Sequence, residues 1–402
     1  STTATFSAIT TAGMFLGALV GGIIGDKTGR RNAFILYEAI HIASMVVGAF
    51  SPNMDFLIAC RFVMGVGLGA LLVTLFAGFT EYMPGRNRGT WSSRVSFIGN
   101  WSYPLCSLIA MGLTPLISAE WNWRVQLLIP AILSLIATAL AWRYFPESPR
   151  WLESRGRYQE AEKVMRSIEE GVIRQTGKPL PPVVIADDGK APQAVPYSAL
   201  LTGVLLKRVI LGSCVLIAMN VVQYTLINWL PTIFMTQGIN LKDSIVLNTM
   251  SMFGAPFGIF IAMLVMDKIP RKTMGVGLLI LIAVLGYIYS LQTSMLLITL
   301  IGFFLITFVY MYVCYASAVY VPEIWPTEAK LRGSGLANAV GRISGIAAPY
   351  AVAVLLSSYG VTGVFILLGA VSIIVAIAIA TIGIETKGVS VESLSIDAVA
   401  NK

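Results

Sequence analysis

Gly22-Ile23-Ile24-Gly25-Asp26-Lys27-Thr28-Gly29-Arg30-Arg31 ends an apolar stretch of membrane-spanning length on a short charged turn. The chain writes that turn again as Asp267-Lys268-Ile269-Pro270-Arg271-Lys272, once more directly after an apolar stretch, at an offset of 241. Glu81, Pro84 and Arg88 recur as Glu323, Pro326 and Lys330 at an offset of 242. Two unrelated landmarks that share one period mark an internal duplication.

With 56% hydrophobic residues, 12% charged residues and a mean hydropathy of +0.78, the chain is too apolar for a water-soluble globule and reads as an integral membrane protein. Its net charge of +8 lies in short loops between apolar runs, the pattern of cytoplasmic loops, which argues against a nucleic-acid partner. Cys60, Cys106, Cys214 and Cys314 fall inside apolar spans without metal-ligand spacing, so neither a disulfide framework nor a metal site is expected, and no cofactor. The polar opening at Ser1 running into a full-length span does not read as a cleavable signal peptide, and none is expected.

Windows long enough to cross a bilayer lie near 3–25, 32–51, 56–80, 95–117, 125–145, 209–234, 245–266, 273–291, 296–321, 333–356 and 361–384. All eleven should be helices, because lipid leaves no partner for an unpaired backbone group and barrel strands would be shorter and alternate in polarity. The predicted fold class is all-α and polytopic. Lys and Arg crowd the loops 26–31, 83–94, 146–208, 267–272 and 322–332, which with the C-terminus are expected to be cytoplasmic, whereas Arg124 and Lys242 stand nearly alone in the alternate loops.

Asp26 follows one span, whereas Asp267 follows two. The duplication therefore predicts one further helix before residue 1, giving two six-helix bundles related by a parallel repeat with eleven of the twelve helices in this sequence. The expected organisation is an N-terminal bundle at 1–145, an inter-bundle loop at 146–208 with a short amphipathic helix at 158–173, a C-terminal bundle at 209–385 and a tail at 386–402.

Several stretches together resemble the major facilitator superfamily. Gly22 to Arg31 is similar to its loop signature after the second helix, and Arg61-Phe62-Val63-Met64-Gly65-Val66-Gly67-Leu68-Gly69-Ala70 to its fourth-helix motif. Pro146-Glu147-Ser148-Pro149-Arg150-Trp151-Leu152, then Glu323-Ile324-Trp325-Pro326-Thr327 with Arg332 and Gly333, and finally Glu385-Thr386-Lys387-Gly388 resemble its sugar-porter branch and the organic-ion relatives. The resemblance covers nearly the whole chain and implies a bacterial inner-membrane metabolite carrier, monomeric, working by alternating access with a site near mid-membrane and often coupled to protons. Asn220-Val221-Val222-Gln223-Tyr224-Thr225-Leu226-Ile227-Asn228-Trp229 departs from the Gln-rich seventh-helix signature of sugar porters. A simple hexose is therefore not the expected substrate.

Asp26 ends a helix beside Arg30 and Arg31, an arrangement that can latch one end of the bundle in one state and open in the other. Glu81 and Arg88, and in the second copy Asp267, Arg271, Glu323 and Arg332, complete the predicted gating set. Pro270 in place of Gly29 predicts a weaker second latch. Gly65 and Gly69 form a GxxxG pair that lets another helix approach closely.

Arg61, about 8 Å into its helix by the rise per residue, serves either proton coupling or gating, or a structural charge relay. Arg342 lies roughly 14 Å into its span with no acid in that span, which points to contact with an anionic substrate group against the alternative of an intramolecular pair. Glu38 and His41, three residues apart on one face, form a proton relay or simply a satisfied polar pair. Asn220, Gln223, Tyr224 and Asn228, with Asn100, Trp101, Tyr103, Tyr312, Tyr315 and Asn338, supply a polar, aromatic-lined pocket, or else ordinary interhelical hydrogen bonds.

These residues point to a secondary transporter of a small polar or anionic metabolite, with a sugar, sugar acid or other organic acid as substrate and protons as the coupling ion. An uncoupled facilitator or exchanger is the alternative. A channel would need rings of coordinating groups, and an enzyme would need paired carboxylates, a metal cluster or a nucleophile near the single His, none of which the sequence offers.

Overall fold

The computed structural model describes residues 2–82, 88–180, 196–266, 268–326 and 329–387, with the side chains at 22, 26, 76–82, 88–93, 330 and 331 outside that description. In chain order the elements are α1 (Thr2–Thr28), α2 (Arg30–Ala49), α3 (Met54–Tyr82), α4 (Arg88–Asn100), α5 (Ser102–Leu113), α6 (Ala119–Tyr144), α7 (Pro149–Ser154), α8 (Tyr158–Thr176) and α9 (Tyr197–Leu200). There follow α10 (Gly203–Thr236), α11 (Leu241–Met252), α12 (Gly254–Val265), α13 (Arg271–Ser290), α14 (Met295–Cys314), a π-helical turn (Tyr315–Tyr320), α15 (Val321–Glu323) and α16 (Lys330–Ile382). Every element among the described residues is helical.

Nine described stretches are long and apolar enough to cross a membrane, where the sequence predicted eleven spans. Both differences have a local cause. The window 95–117 is divided into α4 and α5 at Trp101, because Pro104 has no N–H to give to the Asn100 carbonyl four residues back. The windows 333–356 and 361–384 are two helical segments of α16 that meet at Gly360, whose φ 67°, ψ −161° is a conformation that only glycine adopts freely, so both predicted spans lie within the one stretch counted there. Proline also divides α11 from α12, where Pro256 cannot donate to Met252.

The chain forms two compact units, one of residues 1–8, 92–122 and 192–402 and one of residues 9–91 and 123–191. In the first, α4 and α5 pack with helices of the second sequence repeat: Phe97 lies 6.0 Å from Phe260, Trp101 6.3 Å from Phe253 and Tyr103 5.3 Å from Tyr310 between ring centroids. Its core is continuous from Leu200 to Ile379 and rich in buried rings, among them Trp229, Phe234, Tyr312, Tyr315, Tyr320 and Phe365. In the second unit the core is smaller, with one cluster at Ala33, Tyr37, Ala70 and Leu71 and another at Met45, Met64 and Ala131.

The duplication is written into the packing. A methyl group on Gly13 or Gly17 of α1 would overlap the carbonyl oxygen of Phe62 or Val66 in α3. A methyl group on Gly254 or Gly258 of α12 would overlap the carbonyl oxygen of Phe303 or Thr307 in α14, at the same offset of 241 on both partners. Helices that approach this closely gain dispersion along bare backbone, which takes the place of the hydrophobic effect inside lipid. Gly65 and Gly69 meet the Thr10 and Met14 carbonyls, so the partner of the predicted GxxxG pair is α1.

Gly17→Val and Gly258→Val should each force their helix pair apart, at a cost at or above the upper end of about 1–3 kcal/mol for overpacking. Gly277→Ala, where the added methyl meets nothing within 4 Å, should not lower the thermal midpoint, since alanine is the better helix former. Circular dichroism melts of the three variants in one detergent check the contrast.

Candidate functional site

One face of α10 carries Asn220, Gln223 and Tyr224. α16 comes close to that face at Gly341, where an added methyl would sit 2.9 Å from the Leu216 Cβ and 3.0 Å from the Asn220 Nδ2. This approach sets Arg342 beside α10, near enough to Tyr224 for its charge to act on the phenol. Among the described residues, Arg342 makes no hydrogen bond or ion pair. Gln223 lies within hydrogen-bonding reach of Tyr103 and Tyr310, and the hydroxyl of buried Tyr310 has no well-aligned partner among the described residues. The structure thus brings Arg342, Gln223, Tyr224 and Tyr103 together and adds Tyr310, a residue that reads in sequence as one more apolar-span aromatic. Asn248 extends the polar surface by donating to Ser107 at 3.3 Å.

The remaining predicted pocket residues go elsewhere. Tyr312 is buried and donates to the Val215 carbonyl at 3.1 Å. Tyr315 is buried against Gly275, 5.0 Å from the ring of Tyr320. Asn100, Asn220 and Asn338 each turn the side-chain amide back to the carbonyl four residues earlier, at 2.7, 2.7 and 2.9 Å. Trp101 packs on Phe253 with an exposed edge, and Asn228 is exposed on a different side of α10 from Gln223.

In the smaller unit, Glu38 and His41 stand 3.8 Å apart on α2, the carboxylate buried. Their facing atoms, Oε2 and Nδ1, have no hydrogen-bond partner among the described residues. The α2 backbone at Tyr37 and His41 lies against Gly67 of α3. Arg61 is partly buried on α3 and its Nε donates to Thr10 Oγ1 at 3.0 Å.

At the charged turns, the decisive groups are two carboxylates outside the predicted gating set. Glu147 accepts from the backbone N–H of Arg30 at 2.7 Å and of Arg31 at 3.3 Å, so it caps the start of α2. Gly29, at φ 96°, gives it room, since any side chain there would strike the carboxylate. Glu385 does the same for α13, accepting from Arg271 N–H at 2.8 Å and Lys272 N–H at 3.1 Å. The second clasp carries more: Arg271 grips Glu323 through Nε at 3.1 Å and Nη2 at 3.2 Å, and Thr386 donates to Glu323 at 2.6 Å.

Pro270 takes no donor from this clasp, while the predicted latch at Asp267 lies outside the described residues. The carboxylate needs only the N–H groups of 271 and 272, and Pro270 in its extended conformation costs none of them. The Arg332 guanidinium lies 5.2 Å from the Tyr197 ring. Arg31 points to α6, donating to the Trp142 carbonyl. The side chains of Asp26, Glu81 and Arg88, and all of Asp267, lie outside the described residues. A repeat comparison finds the missed pair, for Glu147 and Glu385 are offset by 238 and both follow the last span of a repeat.

Partial burial alone would raise the Glu385 carboxyl, but the N–H groups of Arg271, Lys272 and Lys387 and the charge of Arg271 together hold it below the ordinary carboxylate range.

Residues 1–398 match the family described as sugar (and other) transporter. The inner membrane metabolite transport protein YdjE of Escherichia coli is 44% identical over 394 residues, covering 98% of this chain and 86% of the relative. The niacin transporter NiaP of Acinetobacter baylyi is 26% identical over 385 residues, 96% of this chain and 85% of the relative. Among solved structures, the partially occluded, inward open xylose transporter XylE from E. coli superimposes with a TM-score of 0.76 at 18% identity, covering 97% of this chain and 89% of that one. XylE described as a proton:xylose symporter, bound to 6-bromo-6-deoxy-D-glucose, gives 0.67 at 21% identity, with 97% and 88% covered.

A carboxyl held low in the folded state stabilises above its ordinary value and loses that contribution as pH falls through the folded value. Glu385→Gln should thus melt below the parent at neutral pH, and the gap should narrow below pH 4.5, the ordinary carboxyl value. Melts of the two proteins across that range check the sign.

Proposed function

The chain belongs to the sugar (and other) transporter family, and on that footing we propose that it is a secondary active transporter of a small anionic metabolite in the bacterial inner membrane, working by alternating access with proton symport. The observation that carries the substrate reading is Arg342. A guanidinium inside a membrane span costs several kcal/mol unless a partner or water satisfies it. Arg342 has no ion-pair partner among the described residues, beside a cluster of Gln223, Tyr224, Tyr103 and Tyr310 that offers hydrogen bonds and ring faces. A carboxylate on a sugar acid or other organic acid fits that set better than a neutral sugar. NiaP is named for niacin and XylE for xylose, so both kinds of solute occur among proteins similar to this chain.

Proton coupling is assigned to Glu38 and His41, supported by their 3.8 Å separation and by facing atoms that make no hydrogen bond among the described residues, with Arg61, held by Thr10, as a fixed charge in the same unit. The clasps at Arg30, Arg31 and Glu147, and at Arg271, Glu323 and Glu385, close one access state and break in the other, together with Asp26, Glu81, Arg88, Asp267 and Arg332. The working unit is a monomer of two bundles, 1–145 and 209–385, joined by the loop 146–208 and ending in the tail 386–402, with the basic loops cytoplasmic.

A thermal-shift screen of sugars, sugar acids and aromatic and aliphatic monocarboxylates identifies the ligand, since a binder stabilises in proportion to its concentration over its Kd. Arg342→Lys should then reduce uptake of the acidic ligand by at least about tenfold, because a point charge replaces a planar fork, with membrane insertion intact. Unchanged uptake would discard the anion site. In proteoliposomes, substrate entry should alkalinise the outside, and Glu38→Gln should abolish that signal; uptake without any proton movement would make the protein a facilitator or exchanger.

A further inference from the structure

The pair α2 and α6 is pinned at both ends by arginines. Arg124 Nη1 donates to the Ala49 carbonyl at 2.6 Å, and Arg31 Nη2 donates to the Trp142 carbonyl at the other end. Between those ends only Ala131 of α6 is buried. Ile132, Leu133, Leu135, Ile136 and Leu140 stand exposed over a length that in a bilayer meets acyl chains.

The last turn of α6 changes character. Trp142 is 62% and Tyr144 70% exposed, and the exposed Arg143 lies between them in sequence. The Arg31 guanidinium sits 5.8 Å from the Trp142 ring and that of Arg143 sits 5.6 Å from the Tyr144 ring. Neither guanidinium has an ion-pair partner among the described residues. The nearest described acid, Glu147, is engaged by the N–H groups of Arg30, Arg31 and Ser148. Among the described residues, the corner therefore carries two guanidinium groups without an ion-pair partner at the end of a lipid-facing helix.

The duplication supplies an internal control. At the offset of 238 that relates Glu147 to Glu385, the counterparts of Trp142, Arg143 and Tyr144 are Ala380, Thr381 and Ile382. The second clasp closes without any aromatic or basic residue there. Neither the fold nor the clasp demands the Trp-Arg-Tyr turn.

We infer that this corner is a binding site for an anionic phospholipid. Its phosphate sits between Arg31 and Arg143, the rings of Trp142 and Tyr144 lie at headgroup level, and an acyl chain runs along the Leu140 to Ile132 face. Amphipathic rings prefer that depth, and guanidinium matches phosphate geometry. A net negative headgroup is favoured over a zwitterionic one by about fivefold for each basic residue near it. The Arg31 amide is also one of the donors to Glu147, so a headgroup that holds this side chain steadies the first clasp.

The test is to titrate the purified full chain in detergent with phosphatidylglycerol or phosphatidylcholine and count bound lipid by native mass spectrometry. Phosphatidylglycerol should be retained in preference, Arg143→Gln should weaken it about fivefold without touching phosphatidylcholine, and Arg174→Gln, an exposed charge on α8, should change neither. Glycerol phosphate at matched ionic strength should not displace the lipid. Equal retention of the two lipids, an unaltered Arg143→Gln, an equal loss in Arg174→Gln or displacement by glycerol phosphate would each overturn the site.

Discussion

A carboxylate set on the first free N–H groups of a helix, just past a charged turn, is the interaction on which both repeats depend. Glu147 holds the start of α2 and Glu385 the start of α13, each carboxylate arriving from beyond the last helix of its own repeat. The helix start offers unpaired donors and a partial positive charge, so an anion there satisfies both at once. At a partly buried site such a contact contributes up to about 2 kcal/mol. By tying the end of each repeat to a helix near its beginning, the clasp turns a string of spans into a closed bundle.

Much of this was legible in the sequence because lipid leaves the backbone few choices. Length and hydropathy give the spans, and the period of 241 gives the duplication, which the backbone contacts of Gly13 with Phe62 and Gly254 with Phe303 reproduce. Reading failed where one residue overrides a window. Pro104 and Pro256 divide apolar runs that look continuous. Polar side chains were harder still. Tyr312, Tyr315 and Asn338 look like pocket groups by type, but the Tyr312 hydroxyl and the Asn338 amide end on backbone carbonyls and Tyr315 is buried in the ring packing. Tyr310 went unnoticed for the converse reason, since nothing in an aromatic-rich span separates it from packing rings.

Comparing the copies shows where chemistry has been added. At the offset of 241, Glu38 and His41 correspond to the buried apolar Leu279 and Ile282, Arg61 to Gly302, and Tyr310 to Gly69. Packing glycines and clasps are shared, whereas these four groups are not. One unit holds an acid, an imidazole and a guanidinium among its helices, and the other holds Arg342 with a tyrosine cluster. Duplication supplied the frame, and divergence placed Glu38, His41 and Arg61 in one copy and Arg342 with its tyrosines in the other.

The central claim is that the two clasps bias one access state over the other. Asn32 and Thr273 are exposed, equivalent positions just inside α2 and α13, suited to paired spin labels once the four native cysteines are replaced. Electron-spin distance measurements on the parent and on Glu147→Gln with Glu385→Gln test the claim without knowledge of the substrate. The account predicts that loss of both carboxylates transfers population to a second, more widely separated distance. An identical distribution in the two proteins, with both still folded, would contradict it.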